Sequence, residues 1–193
     1  MEVGGPLSTA RILIVDDEPA NVLLLERILG RAGYADVVTT ADPRQALSLF
    51  DEHEPDLVLL DLMMPELDGF GVMRELSRRI PEGVLLPILV LTADATREAR
   101  ERALSMGARD FLTKPFDHTE VLLRIRNLLE ARLVYIRLHR QNEWLEAKVR
   151  EETAELRDSL GRAQAVAEHR RQMLLELAEA QEVVAADKRA GAK

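Results

Sequence analysis

Short apolar runs recur through residues 1–116, and between them apolar positions return at three- and four-residue steps. The runs fit strands buried on both faces, and the stepped stretches fit amphipathic helices. Strands are predicted at Arg11–Val15, Tyr34–Thr39, Leu57–Leu60, Pro87–Leu91 and Asp110–Leu112, with helices near 19–31, 43–53, 69–79, 95–106 and from 117 onward. Glu18-Pro19 and Asp42-Pro43 suit first helical turns, while Gly33 and Gly107 stand where helices should stop. Five strands alternating with five helices predict an α/β fold built on a doubly wound five-stranded parallel sheet.

The pattern changes after residue 117. Neither Pro nor Gly occurs between Asp117 and Gly161, and Asp117 ahead of Glu120 predicts a helix start. An apolar stripe runs through Leu138, Leu145, Val149, Leu156, Leu160, Ala163, Ala167, Leu174, Leu177 and Val184. Two adjoining four-residue steps, Glu152 to Leu156 to Leu160, form a stutter. Arg170 and Gln181 fall on the seam, and Trp144 sits at its edge. So long a helix needs a partner to bury its stripe. A parallel dimeric coiled coil is predicted, with a docked or frayed monomeric helix as the alternative. The predicted organisation is a disordered start (1–9), an α/β domain (10–130) and a coiled-coil dimerisation and signalling helix (131–193) that frays over Ala185–Lys193.

Composition narrows the chemistry. Hydrophobic residues make up 47% and aromatic ones 4%, so the core must be aliphatic. The absence of Cys excludes disulfides, thiolate metal sites and a Cys nucleophile. Residues 1–116 hold 20 acidic and 12 basic residues, and 117–193 hold 14 of each, which places the whole net charge of −8 in the first part. An acidic domain argues against non-specific nucleic-acid binding. The opening MEVGGPLSTARILIV lacks the basic start and apolar core of a signal peptide. The longest apolar run, Val84–Leu91, is too short to span a bilayer. A cytoplasmic location is expected.

Open α/β sheets bind ligands beyond the carboxyl ends of their strands. Stepping off those ends gives Asp16-Asp17, then Asp61, Thr92 and Lys114-Pro115; Thr39-Thr40 after the second strand is uninformative. Singly, each has a bland reading: Asp16 and Asp17 as turn or cap residues, Asp61 and Thr92 as strand ends, Lys114 as a solvated charge. Together they place three carboxylates, a hydroxyl and an ammonium on one rim. Clustered carboxylates repel unless a cation joins them, and oxygen-only ligands favour a hard ion such as Mg²⁺. A carboxylate there can also act as a nucleophile toward a phosphoryl group, with Lys114 and Thr92 suited to the transferred oxygens. His53 and His118 have no partner at metal-ligand spacing and are expected on the surface.

The segments ILIVDDEP, LVLLDLMMPELDGF, PILVLTA and GARDFLTKPF resemble the receiver (CheY-like) domain of bacterial two-component response regulators. The resemblance covers roughly residues 10–130, with 44 residues from Asp17 to Asp61, 31 more to Thr92 and 22 more to Lys114. It implies a flavodoxin-like sheet of order 2-1-3-4-5 and a phosphorelay function in which Asp61 accepts a phosphoryl group from a sensor histidine kinase. It implies Mg²⁺ held by Asp16, Asp17, Asp61 and the backbone carbonyl of Met63, with Thr92 and Lys114 on the phosphoryl group. It also implies a cis Lys114-Pro115 bond and a switch formed by Thr92 and Phe111, where Phe111 lacks a hydroxyl to hold it outside. Asp68-Gly69 reads as a turn.

The tail RLVYIRLHRQNEWLEAKVREETAELRDSL resembles connectors that precede enzymatic domains, HD-GYP cyclic-di-GMP phosphodiesterases and histidine kinases among them. No His-Asp or Gly-Tyr-Pro follows, no helix-turn-helix is seen, and the surroundings of His169 match a kinase phosphoacceptor box poorly. The expectation is a non-enzymatic, homodimeric regulator without direct DNA or membrane binding. The alternatives are a regulatory fragment of a larger enzyme and a constitutive coiled-coil scaffold.

Overall fold

A computed structural model describes residues 5–65, 68–94 and 96–190, with the side chains of Pro6 and of 175–190 left undescribed. The elements are β1 (Arg11–Val15), α1 (Pro19–Ala32), β2 (Asp36–Thr40), α2 (Ala46–His53), β3 (Leu57–Asp61), α3 (Gly69–Arg79), β4 (Ile88–Thr92), α4 (Arg97–Ser105), β5 (Asp110–Thr113) and α5 (His118–Ala190). All strand pairs are parallel, and the sheet order is β2-β1-β3-β4-β5, as expected. The chain divides into two units after Leu138, where the sequence pattern places a boundary at 130.

Alternation along each strand separates two cores. Leu13, Val15, Val58, Leu60, Ile88, Val90 and Phe111 face one side with Val72, Met73 and Leu76 of α3 and Ala103 of α4. Ile12, Ile14, Leu57, Leu59, Leu89, Leu91 and Leu112 face the other with Leu25 and Leu29 of α1 and Val121, Ile125 and Leu129 of α5. Both faces are covered over β1, β3 and β4, so these strands can be almost wholly apolar.

Local signals explain most boundaries. Gly33 ends α1 with φ 97°, a left-handed conformation that costs glycine little. Asp117 Oδ1 accepts from the amides of Thr119 and Glu120 and so starts α5. Asp42 caps only a 3-10 turn, Pro43–Gln45, and the α-helical turns begin at Ala46. Tyr34 precedes β2 rather than opening it, because its amide closes the end of α1 on Leu29. Within 1–9, where the sequence predicts disorder, Gly5–Leu7 forms a 3-10 turn, and Leu7 packs against the core under α1 and α5. Residues 1–4 lie outside the described residues.

In the second unit, Leu145, Val149, Leu156, Leu160 and Leu174 are exposed on α5, as is Trp144. Leu177, Gln181 and Val184 have side chains outside the described set. Among the described residues, no helix is long and apolar enough to cross a membrane.

Candidate functional site

Strand register assembles the rim. Val15 pairs with Leu60, Asp61 with Leu91 and Thr92 with Thr113, so Asp16, Asp61, Thr92 and Lys114 stand at or one residue past neighbouring strand ends. Asp16 is 1% exposed, Asp61 5% and Thr92 0%. Oxygens of Asp16, Asp17 and Asp61 lie within 4.8 Å of one another. Lys114 Nζ donates to Asp16 Oδ2 at 2.6 Å and to Asp61 Oδ2 at 2.5 Å. The Lys114-Pro115 bond is cis.

The other carboxylate oxygens of Asp61 and Asp16, and the Thr92 hydroxyl, accept from further donors. Asp61 Oδ1 accepts from the Met63 amide at 3.0 Å. Asp16 Oδ1 accepts from the Glu18 amide at 3.1 Å and from Asn21 Nδ2 at 3.0 Å. Thr92 Oγ1 accepts from the Asp94 amide at 3.2 Å, and Thr92 O accepts from the Lys114 amide at 2.8 Å. The helix-start signal at Glu18-Pro19 therefore works through Asp16, since the Glu18 side chain makes no capping bond.

Burial raises the pKa of Asp61 above the ordinary carboxylate value, although hydrogen bonds from Lys114 and Met63 act against it. Burial alone would lower the pKa of Lys114, but hydrogen bonds to Asp16 and Asp61, with their charges, raise it. With all three acids ionised, one ammonium leaves two negative charges uncompensated, which matches a divalent cation. The all-oxygen donor set fits Mg²⁺.

Phe111 is buried in the same core as Phe70, with the Arg100 guanidinium 5.6 Å from its ring centroid. It lies inside the core rather than outside it. The Met63 side chain is 61% exposed, which leaves its backbone as the part near the rim.

Two contributors carry little or no sequence signal. The sequence marks Gly69 as half of a turn and the start of a helix near 69–79, but does not show that a Cβ there would lie 2.1 Å from Asp61 O and 2.7 Å from Leu62 Cα. Asp68 caps that helix by accepting from the Gly71 amide at 2.7 Å. The Asp-Gly pair is visible in the sequence, but the close backbone approach depends on tertiary packing. Asn21 gives no signal at all, because its partner Asp16 is reached only once α1 folds.

The family described as response regulator receiver domain matches residues 12–126. The alkaline phosphatase synthesis transcriptional regulatory protein PhoP of Bacillus subtilis is 41% identical over 119 residues, 62% of this chain and 48% of PhoP. The response regulator PleD of Caulobacter vibrioides is 44% identical over 135 residues, 70% of this chain and 29% of PleD. The chain thus spans about half or less of these relatives' lengths. The solved structure of the Vibrio cholerae chemotaxis protein CheY4 has a TM-score of 0.58 and 29% identity, covering 62% of this chain and 98% of CheY4. With sheet order, rim and sequence in agreement, this chain belongs to the response regulator receiver domain family of two-component systems.

Proposed function

We propose that Asp61 is the phosphoacceptor, that Asp16, Asp17, Asp61 and the Met63 carbonyl hold Mg²⁺, and that Thr92 and Lys114 contact the transferred phosphoryl group. The observation that carries this reading is the set of three carboxylates within 4.8 Å, two of them bridged by Lys114 Nζ. An Asp61 oxygen attacks phosphorus in line as the bond to the donor, a phosphohistidine nitrogen of a sensor kinase, breaks. The chemistry that Mg²⁺ supplies when bound is neutralisation of the phosphoryl oxygens. Lys114 trades a carboxylate for one of those oxygens, and the Thr92 hydroxyl donates to another. Phe111, which meets Arg100 of α4, passes the movement of Thr92 to that helix.

The output we assign is a cytoplasmic homodimer formed through α5. Its support is the exposed seam of Leu145, Val149, Leu156 and Leu160, continued by Leu174. Residues 117–193 balance 14 acids against 14 bases, which favours a protein partner over DNA. A second reading, regulation of an enzymatic domain in the same polypeptide, draws on PleD, whose similarity covers only 29% of its own length. Sequencing the reading frame past Lys193 separates the two. The site itself is tested by ¹⁹F NMR with beryllofluoride and Mg²⁺: bound resonances are expected for the wild type and none for Asp61→Asn. Equal spectra would reject the assignment.

A further inference from the structure

The carboxylate of Asp16 is almost fully buried, so its orientation is set by protein donors rather than by water. Its Oδ2 accepts from Lys114 Nζ, the group that also reaches Asp61. Its Oδ1 takes two other donors, the Glu18 amide and the side-chain amide of Asn21. Asn21 is the third residue of α1, and its own backbone amide donates to Glu18 O at 2.9 Å. Its side chain therefore serves Asp16 and not the closing of the helix.

We propose that Asn21 is a positioning residue for the cation site, fixing the plane of the Asp16 carboxylate so that this group is presented to the ion. The inference rests on the reading of Asp16, Asp17 and Asp61 as the cation site. A neutral amide suits this task. It donates a hydrogen bond without adding positive charge, whereas an ammonium or guanidinium at this place would compete with the ion. Loss of the amide leaves Oδ1 of a buried carboxylate with one donor, and the carboxylate can then turn. Groups that orient metal ligands in this way typically change affinity by about 10- to 100-fold when removed.

The test is calorimetric titration of the full chain with Mg²⁺, for the wild type, Asn21→Ala, Asn21→Leu and Asp17→Ala, with thermal melts recorded without Mg²⁺. The Leu variant keeps side-chain volume if the smaller residue disturbs folding. The expected result is about tenfold weaker binding in both Asn21 variants, with Mg²⁺-free melting close to wild type. Unchanged affinity in either folded variant overturns the proposal, as does an affinity loss matched by a fall in Mg²⁺-free stability. Failure of the cation-site reading looks different: the wild type would not bind, or Asp17→Ala would bind as the wild type does.

Discussion

Asp61 is held between burial, which disfavours its charge, and two donors, which favour it. Burial prevails, and its pKa is raised. The folded state then binds a proton more readily than the unfolded chain, so this group's contribution to stability falls as pH rises from about 4 through the folded-state value. Asp61→Asn removes that fall. Comparing denaturant midpoints of the two proteins from acid to neutral pH should show the wild type losing ground steadily to the variant. Lys114 acts in the alkaline range: its raised pKa gives stability that is present below about 10.4 and lost as pH rises through the folded value. Gly69 is the other residue under constraint. Gly69→Ala drives a methyl into Asp61 O and should cost about 2–3 kcal/mol in chemical denaturation. It should also abolish the beryllofluoride resonances.

The helix α5 is held by polar tethers as well as by its apolar face. Arg132 on α5 donates to Asp56 Oδ1 at 3.1 Å and to Leu85 O, in the loops before β3 and β4. Eight residues earlier, Arg124 clasps both oxygens of Asp110 at the start of β5. Among the described residues of the helix, Leu129 is the last that is fully buried, while Leu133 and Ile136 are half-buried. The guanidinium contacts thus explain why the first unit continues past 130: apolar burial fades there, and Arg132 keeps the helix attached. Arg132→Met should cost about 2 kcal/mol and speed hydrogen exchange of α5 amides near residue 132. Periodicity made the strands and the first four helices legible, and β1, β3 and β4 most of all, because each of these reads as an apolar run with a chemical group at its end. The order of the strands came through the family resemblance. Neither could show Gly69 against Asp61 or Asn21 against Asp16, since both depend on how elements approach one another in space.

For the chain as a whole, the family places the receiver in a two-component system, and the output through α5 is our proposal. The seam gives the proposed output a physical form, since Leu156 and Leu160 lie in the stutter and are exposed in the single chain. Light scattering should return the mass of a dimer for the wild type and of a monomer for Leu156→Lys with Leu160→Lys, while the receiver's melting stays unchanged. A wild-type monomer, with and without beryllofluoride, would reject the dimeric output but leave the receiver chemistry standing. The decisive measurement on that chemistry is intact mass after incubation with acetyl phosphate and Mg²⁺. The expected result is a gain of one phosphoryl group that maps to Asp61, absent in Asp61→Asn and absent without Mg²⁺. A wild type that gains no mass, or an Asp61→Asn variant that gains the same mass, would refute phosphotransfer to Asp61.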